Sequence, residues 1–252
     1  MKIASSGRAL AVLAAIGALG SLVATGSTAK SLAPKGPTPD ITVRVEGLGS
    51  TLLAPTTVTL TASSVTKDGT ATDSCSGLSA LGALQDATKG DWDGSWSKSY
   101  ASYFITSIKG TSYPESADYY WAFWLDDKPA ATGACGVDPA KGSSILFFPE
   151  YDGKSKTVVL PSVLGVSAPA SALVGKPFTV LVTSYANQTG KPTPAAGATL
   201  TAGSARATVT HAGQATLTIS RPGNVVIDAS APHTVRDETT ICVHKPGETC
   251  RS

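Results

Sequence analysis

The sequence predicts a mainly β fold in two parts, a small α+β part followed by a β-sandwich without helices. Three observations carry this expectation. Short apolar runs recur from residue 41 to residue 243, many of them alternating and most separated by Gly, Pro or Asn turns. One stretch alone, marked by Leu78, Leu81 and Leu84, keeps a helical spacing. All four tryptophans and four of the five phenylalanines lie between residues 92 and 148, and beyond Gly153 the chain turns to Ala, Thr, Val, Gly and Pro. That shift in composition divides the chain near residues 152–161.

Taken in order, the chain opens with the layout of a secretory signal. Lys2 and Arg8 give a positive start, residues 9–24 form an apolar run, and Ser27-Thr28-Ala29 offers small residues at a cleavage site after Ala29. The run is short and rich in Ala and Gly, whereas a membrane span needs about 20 strongly apolar residues. Residues 1–29 are therefore expected to be removed, and residues 30–39 form a Pro-rich lead-in. In the first domain, residues 40–153, alternating runs at 41–45 and 57–61 joined by a Gly-containing loop read as a hairpin. Ser76-Gly77 ahead of the leucines and Gly90 behind them give a short amphipathic helix with a cap and a stop. Strands are expected at 103–108, 119–125 and 145–148. Hairpin, helix and further strands in this order are compatible with a β-grasp arrangement.

After a linker at 154–162, residues 163–244 offer strands near 163–167, 178–184, 198–201, 206–210, 215–219, 224–228 and 239–243. Turns at Val174-Gly175-Lys176-Pro177, Ala212-Gly213 and Arg221-Pro222-Gly223-Asn224 separate several of them. Short strands with such regular punctuation indicate an immunoglobulin-like sandwich. Residues 245–252 are a hydrophilic tail.

Charge and cysteine usage narrow the function classes. The chain has 20 basic and 18 acidic residues, and loss of Lys2 and Arg8 with the signal leaves 18 of each. A balanced chain without a basic stripe gives no footing for nucleic acid, and no like-charge block marks a membrane patch. Cys75, Cys135, Cys242 and Cys250 form an even set in an exported chain, which favours disulfides. Three pairings are open, and Cys75–Cys135 with Cys242–Cys250 is the simplest because each bond stays within one expected domain. On the chain-entropy account these loops contribute about 4 and 2.5 kcal/mol. No two cysteines have the spacing of a zinc site.

Residues about 40–150 resemble a family of bacterial domains of unknown function that are similar to the C-terminal domain of transcobalamin. The resemblance rests on Cys75-Ser-Gly, the Leu81/Leu84 helix, Trp92 and Trp96, and Tyr103-Phe-Ile-Thr-Ser-Ile-Lys-Gly110. It continues through Tyr120-Trp-Ala-Phe-Trp124, Gly133-Ala-Cys-Gly136 and Ile145-Leu-Phe-Phe148. The family usually turns with Asn-Gly after its aromatic strand, where this chain has Asp126-Asp127-Lys128, and often has Gly-Asp where this chain has Gly142-Ser143. The resemblance implies a fold more than a ligand: in the vitamin carriers the domain covers a corrinoid beside a large helical domain that this chain lacks. Residues 163–244 resemble bacterial immunoglobulin-like modules of surface and adhesion proteins, through Ala195-Ala-Gly-Ala-Thr-Leu200, Ala212-Gly-Gln-Ala-Thr-Leu217, Pro222-Gly223 and Thr240-Ile-Cys-Val243.

The aromatic concentration supplies the candidate site. On the strand at 119–125, Tyr119, Trp121, Phe123 and Leu125 alternate with Tyr120, Ala122 and Trp124, so one set faces the core. Tyr120 and Trp124, with Trp92 and Trp96, are the ligand-binding candidates, forming an exposed platform for a sugar, corrinoid or peptide. The competing expectation is that these rings are core. Asp91-Trp-Asp-Gly-Ser95 only faintly matches a calcium loop, with its Gly too early and Ser102 where a Glu belongs. A Gly-x-Ser-x-Gly elbow, a His-Glu-x-x-His pair and a phosphate-binding loop are all missing. The expected protein is a secreted or cell-surface-associated binding module without catalysis, cofactor or stable membrane anchor. Its partner would be a small molecule, a glycan or a cell-surface component. The alternative is a structural or adhesion protein with no small-molecule site.

Overall fold

Alternation places Ile41, Val43 and Val45 on one face of β1 (Asp40–Glu46), where all three are fully buried. The computed structural model describes residues 40–113, 118–151 and 161–250. The expected signal and lead-in, and most of the expected linker at 154–162, lie outside the described residues. From β1 the chain reverses into β2 (Thr51–Thr59), which pairs antiparallel with it, so the first hairpin forms as expected. Short strands β3 (Ser64–Val65) and β4 (Cys75–Ser76) pair with each other and lead into α1 (Ala80–Thr88). The helix starts later than Ser76-Gly77 suggests. Ser79 is the cap, its hydroxyl accepting from Gly82 N–H at 3.2 Å, so Leu78 precedes the helix while Leu81 and Leu84 point into the core. Lys89 in the left-handed region and Gly90 with φ of 80° end it.

β5 (Trp92–Ser97), β6 (Ser102–Ile108) and β7 (Thr111–Ser112) form a small antiparallel sheet. β5 falls where no strand is expected from the sequence and where residues 91–95 only faintly match a calcium loop. The register slips between Asp93 and Gly94, and a Cβ on Gly94 would lie 2.6 Å from the Phe104 carbonyl oxygen. Glycine at the bulge thus lets two backbones approach, and its polar neighbours hide the strand from a pattern reading.

β8 (Tyr119–Leu125), β9 (Lys128–Pro129) and β10 (Ser144–Tyr151) complete a mixed sheet of order β2-β1-β10-β8-β9 with β1 and β10 parallel. This order and the helix beside it give the expected β-grasp-like arrangement. Asp126 and Asp127, with φ of 49° and 61°, join β8 to β9. Positive φ at both positions is what a type I′ turn requires, so the departure from Asn-Gly leaves the hairpin intact.

The second half runs β11 (Ser162–Ser167), β12 (Ser171–Leu173), β13 (Pro177–Tyr185), β14 (Pro192–Pro194) and β15 (Thr199–Ala202). It continues with β16 (Ala205–Thr208), β17 (Gln214–Thr218), β18 (Gly223–Ser230), β19 (Thr234–Val235) and β20 (Asp237–His244). One sheet has the order β14-β13-β11-β19 with β17 also on β13, and the other β12-β20-β18-β15-β16. Leu164, Val180, Val182, Leu200, Leu217, Ile227 and Ile241 fill the space between them, which makes the predicted sandwich. Cysteines pair as Cys75–Cys135 and Cys242–Cys250.

The first sheet has two covered faces. Ile41, Val43, Val45, Ile145 and Phe147 pack with α1, while Ala122, Trp124, Leu146 and Phe148 form a cluster with Val163 and Val235 of the second half. The same outer face carries Arg44 and Glu46, both buried, with Glu46 only 1% exposed. Arg44 spans Glu46 Oε1 and Asp237 Oδ1, each at 3.1 Å, and donates to the Arg236 carbonyl. Arg236 Nη2 in turn reaches Glu46 Oε2 at 3.2 Å and Thr51 Oγ1 at 2.8 Å. Tyr185 adds a contact with Asp127. Burial first, and then the hydrogen bond to that carboxylate, push its phenol up to about 12.

Two outcomes are expected. Glu46→Ala takes a buried carboxylate from two guanidinium groups and leaves Arg236 without its ion-pair partner, and should lower unfolding free energy by about 3–5 kcal/mol in urea titrations. Burial also raises the Asp237 carboxyl above its ordinary 3.8, although Arg44 and the Val166 N–H pull it back down. Below 3.8 both folded and unfolded chains hold this proton. As pH rises past that value the unfolded chain ionises first, so stability falls until the folded carboxyl ionises too. Asp237→Asn should remove that part of the acid-range slope in a series of urea midpoints against pH.

Candidate functional site

The incomplete pairing of β8 decides where a ligand can reach. On one side β8 ladders with β10 along its whole length, from Tyr119 opposite Tyr151 to Leu125 opposite Ile145. On the other side β9 covers only Trp124 and Leu125. Alongside the uncovered part lies a cleft of about 1040 Å³ bordered by Ser102–Ile105 of β6, residues 118–124 and residues 129–134. Ser97 of β5, Tyr100, Glu150 of β10, and Asn187 and Gln188 of the second half complete it.

The lining is aromatic with a few polar groups, the composition expected of a ligand cleft. Tyr100 is 79% exposed and Phe104 44% exposed, and Tyr119, Tyr120 and Phe123 are half-buried. Phe104 is exposed because it sits at an outward position of β6, between buried Tyr103 and Ile105. Stiff rings lie beneath these. Tyr103 packs edge-on against Trp92 and Trp96 with centroids 5.5 and 5.2 Å away. Its hydroxyl donates to the Asp73 carbonyl at 2.6 Å and accepts from Lys67 N–H at 2.9 Å. Phe123 stacks on Phe147 at 5.5 Å. Trp121 meets Tyr113 at 5.3 Å, and its buried indole N–H has no hydrogen-bond partner among the described residues. Glu150, also buried, accepts from Asn187 Nδ2 at 2.8 Å.

Of the four aromatics expected to form an exposed platform, the structure brings only Tyr120 and Trp124 to the cleft. Trp124 is 2% exposed and belongs to the cluster shared with Val163 and Val235, edge-on to Phe148. Trp92 is equally enclosed, its indole N–H donating to Gln85 Oε1 at 2.7 Å and Lys67 Nζ lying 4.5 Å from its ring. Trp96 is half-buried against Tyr103 and is not among the residues that line the cleft. A platform of all four is therefore corrected: the strand is covered on both faces, so Trp124 has no solvent face to turn to. Tyr100, Phe104, Phe123, Glu150 and Asn187 are the lining residues that sequence reading passes over. Phe104 alone left a signal, as a phenylalanine at a position where alternation requires a solvent-facing residue. Asp91 pairs with Lys109 at 3.0 Å, and no cluster of three His, Cys, Asp or Glu side chains that could hold a metal occurs among the described residues.

The family model of a domain of unknown function, DUF4430, matches residues 77–148. That span contains α1, β5 to β8, most of β10 and much of the cleft lining. No curated protein sequence matches the chain. Among solved structures, a proposed metal binding protein from Ruminococcus gnavus ATCC 29149 aligns with 46% of this chain and 99% of its own, at 16% identity and a TM-score of 0.32. So loose a likeness carries no inference about what this chain binds.

Trp124→Ala should cost about 3–5 kcal/mol in urea unfolding, because it empties a buried aromatic site. Phe104→Ala should change stability by no more than about 0.5 kcal/mol. The two variants measured side by side separate the core of the site from its accessible wall.

Proposed function

We propose that the chain is a non-catalytic binding module of an exported protein, and that the aromatic cleft beside β8 holds its ligand. The observation that carries this reading is the cleft itself, large enough for a ligand of several rings or residues, with exposed Tyr100 and Phe104 over a rigid aromatic base. Two disulfides and the signal-like N-terminus support an oxidising location outside the cytoplasm. No described helix is long and apolar enough to cross a membrane. Resemblance of residues about 40–150 to the transcobalamin C-terminal domain makes a corrinoid one ligand to test, beside glycans and cell-wall fragments. The sandwich would space or attach the module at the surface.

A second reading is a structural or adhesion protein without a small-molecule site. The burial of Trp92, Trp121 and Trp124 favours it, since these rings serve the core.

Titration of the chain with corrinoids, glycans and cell-wall fragments, followed by tryptophan fluorescence, tests the proposal. A saturable change with one class is expected, because Trp121 and Trp124 border the cleft. Tyr100→Ala and Phe104→Ala should each weaken that binding about fivefold or more while leaving the unfolding curve in place. An unresponsive protein across the panel, and across the peptides below, would leave the structural reading standing.

A further inference from the structure

The cleft is also an open strand edge. Resting on the reading of it as a ligand site, we propose that its occupant is an extended peptide carrying a lysine or arginine, added to β8 as a further strand. Ala130 N–H donates to the Phe123 carbonyl at 3.2 Å on the side away from β10. Main-chain groups alternate in direction along an antiparallel strand, so those of Trp121 and Tyr119 face the same way as those of Phe123. No strand among the described residues pairs with them on that side. Natural sheets guard such edges with Pro, charges or bulges. This chain does so elsewhere, with Pro55 in edge strand β2 and Pro192 and Pro194 in edge strand β14. From Tyr119 to Leu125 the edge of β8 has neither proline nor charge. An unguarded edge running along an aromatic cleft is the arrangement that strand addition uses.

Charge selects the kind of peptide. Among the described residues the lining includes Asp118 and Glu150 and no Lys or Arg. Glu150 is 8% exposed, and its hydrogen-bond partner is the neutral amide of Asn187. None of the ion pairs among the described residues includes it. A buried carboxylate is costly without a counter-charge, and a cationic side chain entering the cleft would supply one. Glu150 lies directly opposite Tyr120 across the β8–β10 ladder. Alternate side chains of an added strand would therefore meet the Tyr120–Glu150 face, while those between them meet Trp121 and Phe123 on the other. Aromatic faces near the carboxylate suit Lys or Arg further.

The test uses the full chain and four probes: acetyl-Thr-Val-Lys-Val-Thr-amide, its Lys→Glu and Lys→Val analogues, and the parent peptide methylated at alternate backbone nitrogens. The parent should change tryptophan fluorescence saturably, and the glutamate and methylated peptides should each bind about tenfold or more weakly. Glu150→Gln keeps the acceptor for Asn187. It should weaken the lysine peptide about tenfold, leave a Lys→Val version unaffected and leave thermal unfolding in place. Equal binding of the methylated peptide would overturn strand addition, and equal binding of the glutamate peptide would overturn the cationic preference. A glycan or corrinoid that saturates the cleft while all peptides fail would refute this inference and leave the broader proposal intact. Failure of every ligand would sink both. A concentration-dependent dimer that blocks the parent peptide would show the edge to be filled by a second copy, against the proposal.

Discussion

The seating of the sandwich against the first sheet depends on four charged side chains that should by composition be in water. Arg44 and Glu46 project from the outer face of β1 and meet Arg236 and Asp237 at the start of β20. Desolvating such groups is expensive, and the attraction between them offsets it only when the geometry is nearly complete. Here Glu46 accepts from Arg44, Arg236 and Thr51, while Asp237 receives Arg44 and the Val166 N–H. One nitrogen, Arg236 Nε, has no partner among the described residues. A network so close to full satisfaction selects one arrangement of the two halves over nearby slipped ones, because a small displacement would leave several buried charges exposed to each other without compensation. The apolar cluster around Trp124 and Phe148 supplies contact area, and the ions supply the register.

That register has a consequence at the cleft. Asn187 and Gln188 belong to the turn after β13, yet they line a cleft otherwise built by the first half. Asn187 also donates to the Pro161 carbonyl at 3.0 Å, tying the turn to the point where the second half begins. The sandwich therefore does more than extend the chain: it supplies the amide that orients Glu150. It also buries the outer side of β8, so that Trp124 becomes support rather than contact surface.

What could be read in the sequence follows from which strands have one covered face and which have two. Ile41, Val43 and Val45 alternate cleanly, and the hairpin was legible for that reason. Ile145-Leu-Phe-Phe148 is apolar without a break, the mark of a strand covered on both sides, and its partner Tyr119–Leu125 is nearly so. Those runs held the information that a second layer covers the sheet. The same face of β1, however, shows Thr42, Arg44 and Glu46, which is indistinguishable from a solvated face until Arg236 and Asp237 are placed against it. β5 was hidden by Asp93-Gly94-Ser95, where a bulge replaces alternation. Tyr100 and Asn187 lie in loops, and no local pattern places a loop residue beside a strand far from it in sequence. The cleft was thus half legible: its aromatic strand could be found, but which rings would face outward depended on contacts between distant segments.

The burial of three tryptophans does not count against a binding role. A platform of exposed, freely rotating indoles would lose side-chain entropy on meeting a ligand, about 0.5–1.5 kcal/mol for each one immobilised. In this chain the rings beneath the cleft are already fixed, with Trp92 held by Gln85, Tyr103 by the Asp73 carbonyl and Phe123 by Phe147. Fewer groups remain to be ordered, chiefly Tyr100 and Phe104. The backbone edge of β8 is equally rigid, because β10 ladders with it along its whole length from the other side. A surface with so little left to order can hold a small ligand or a short strand on modest contact area. The same stiffness confines the site to ligands that match its shape, since neither the sheet nor the rings beneath it can move aside without opening the core.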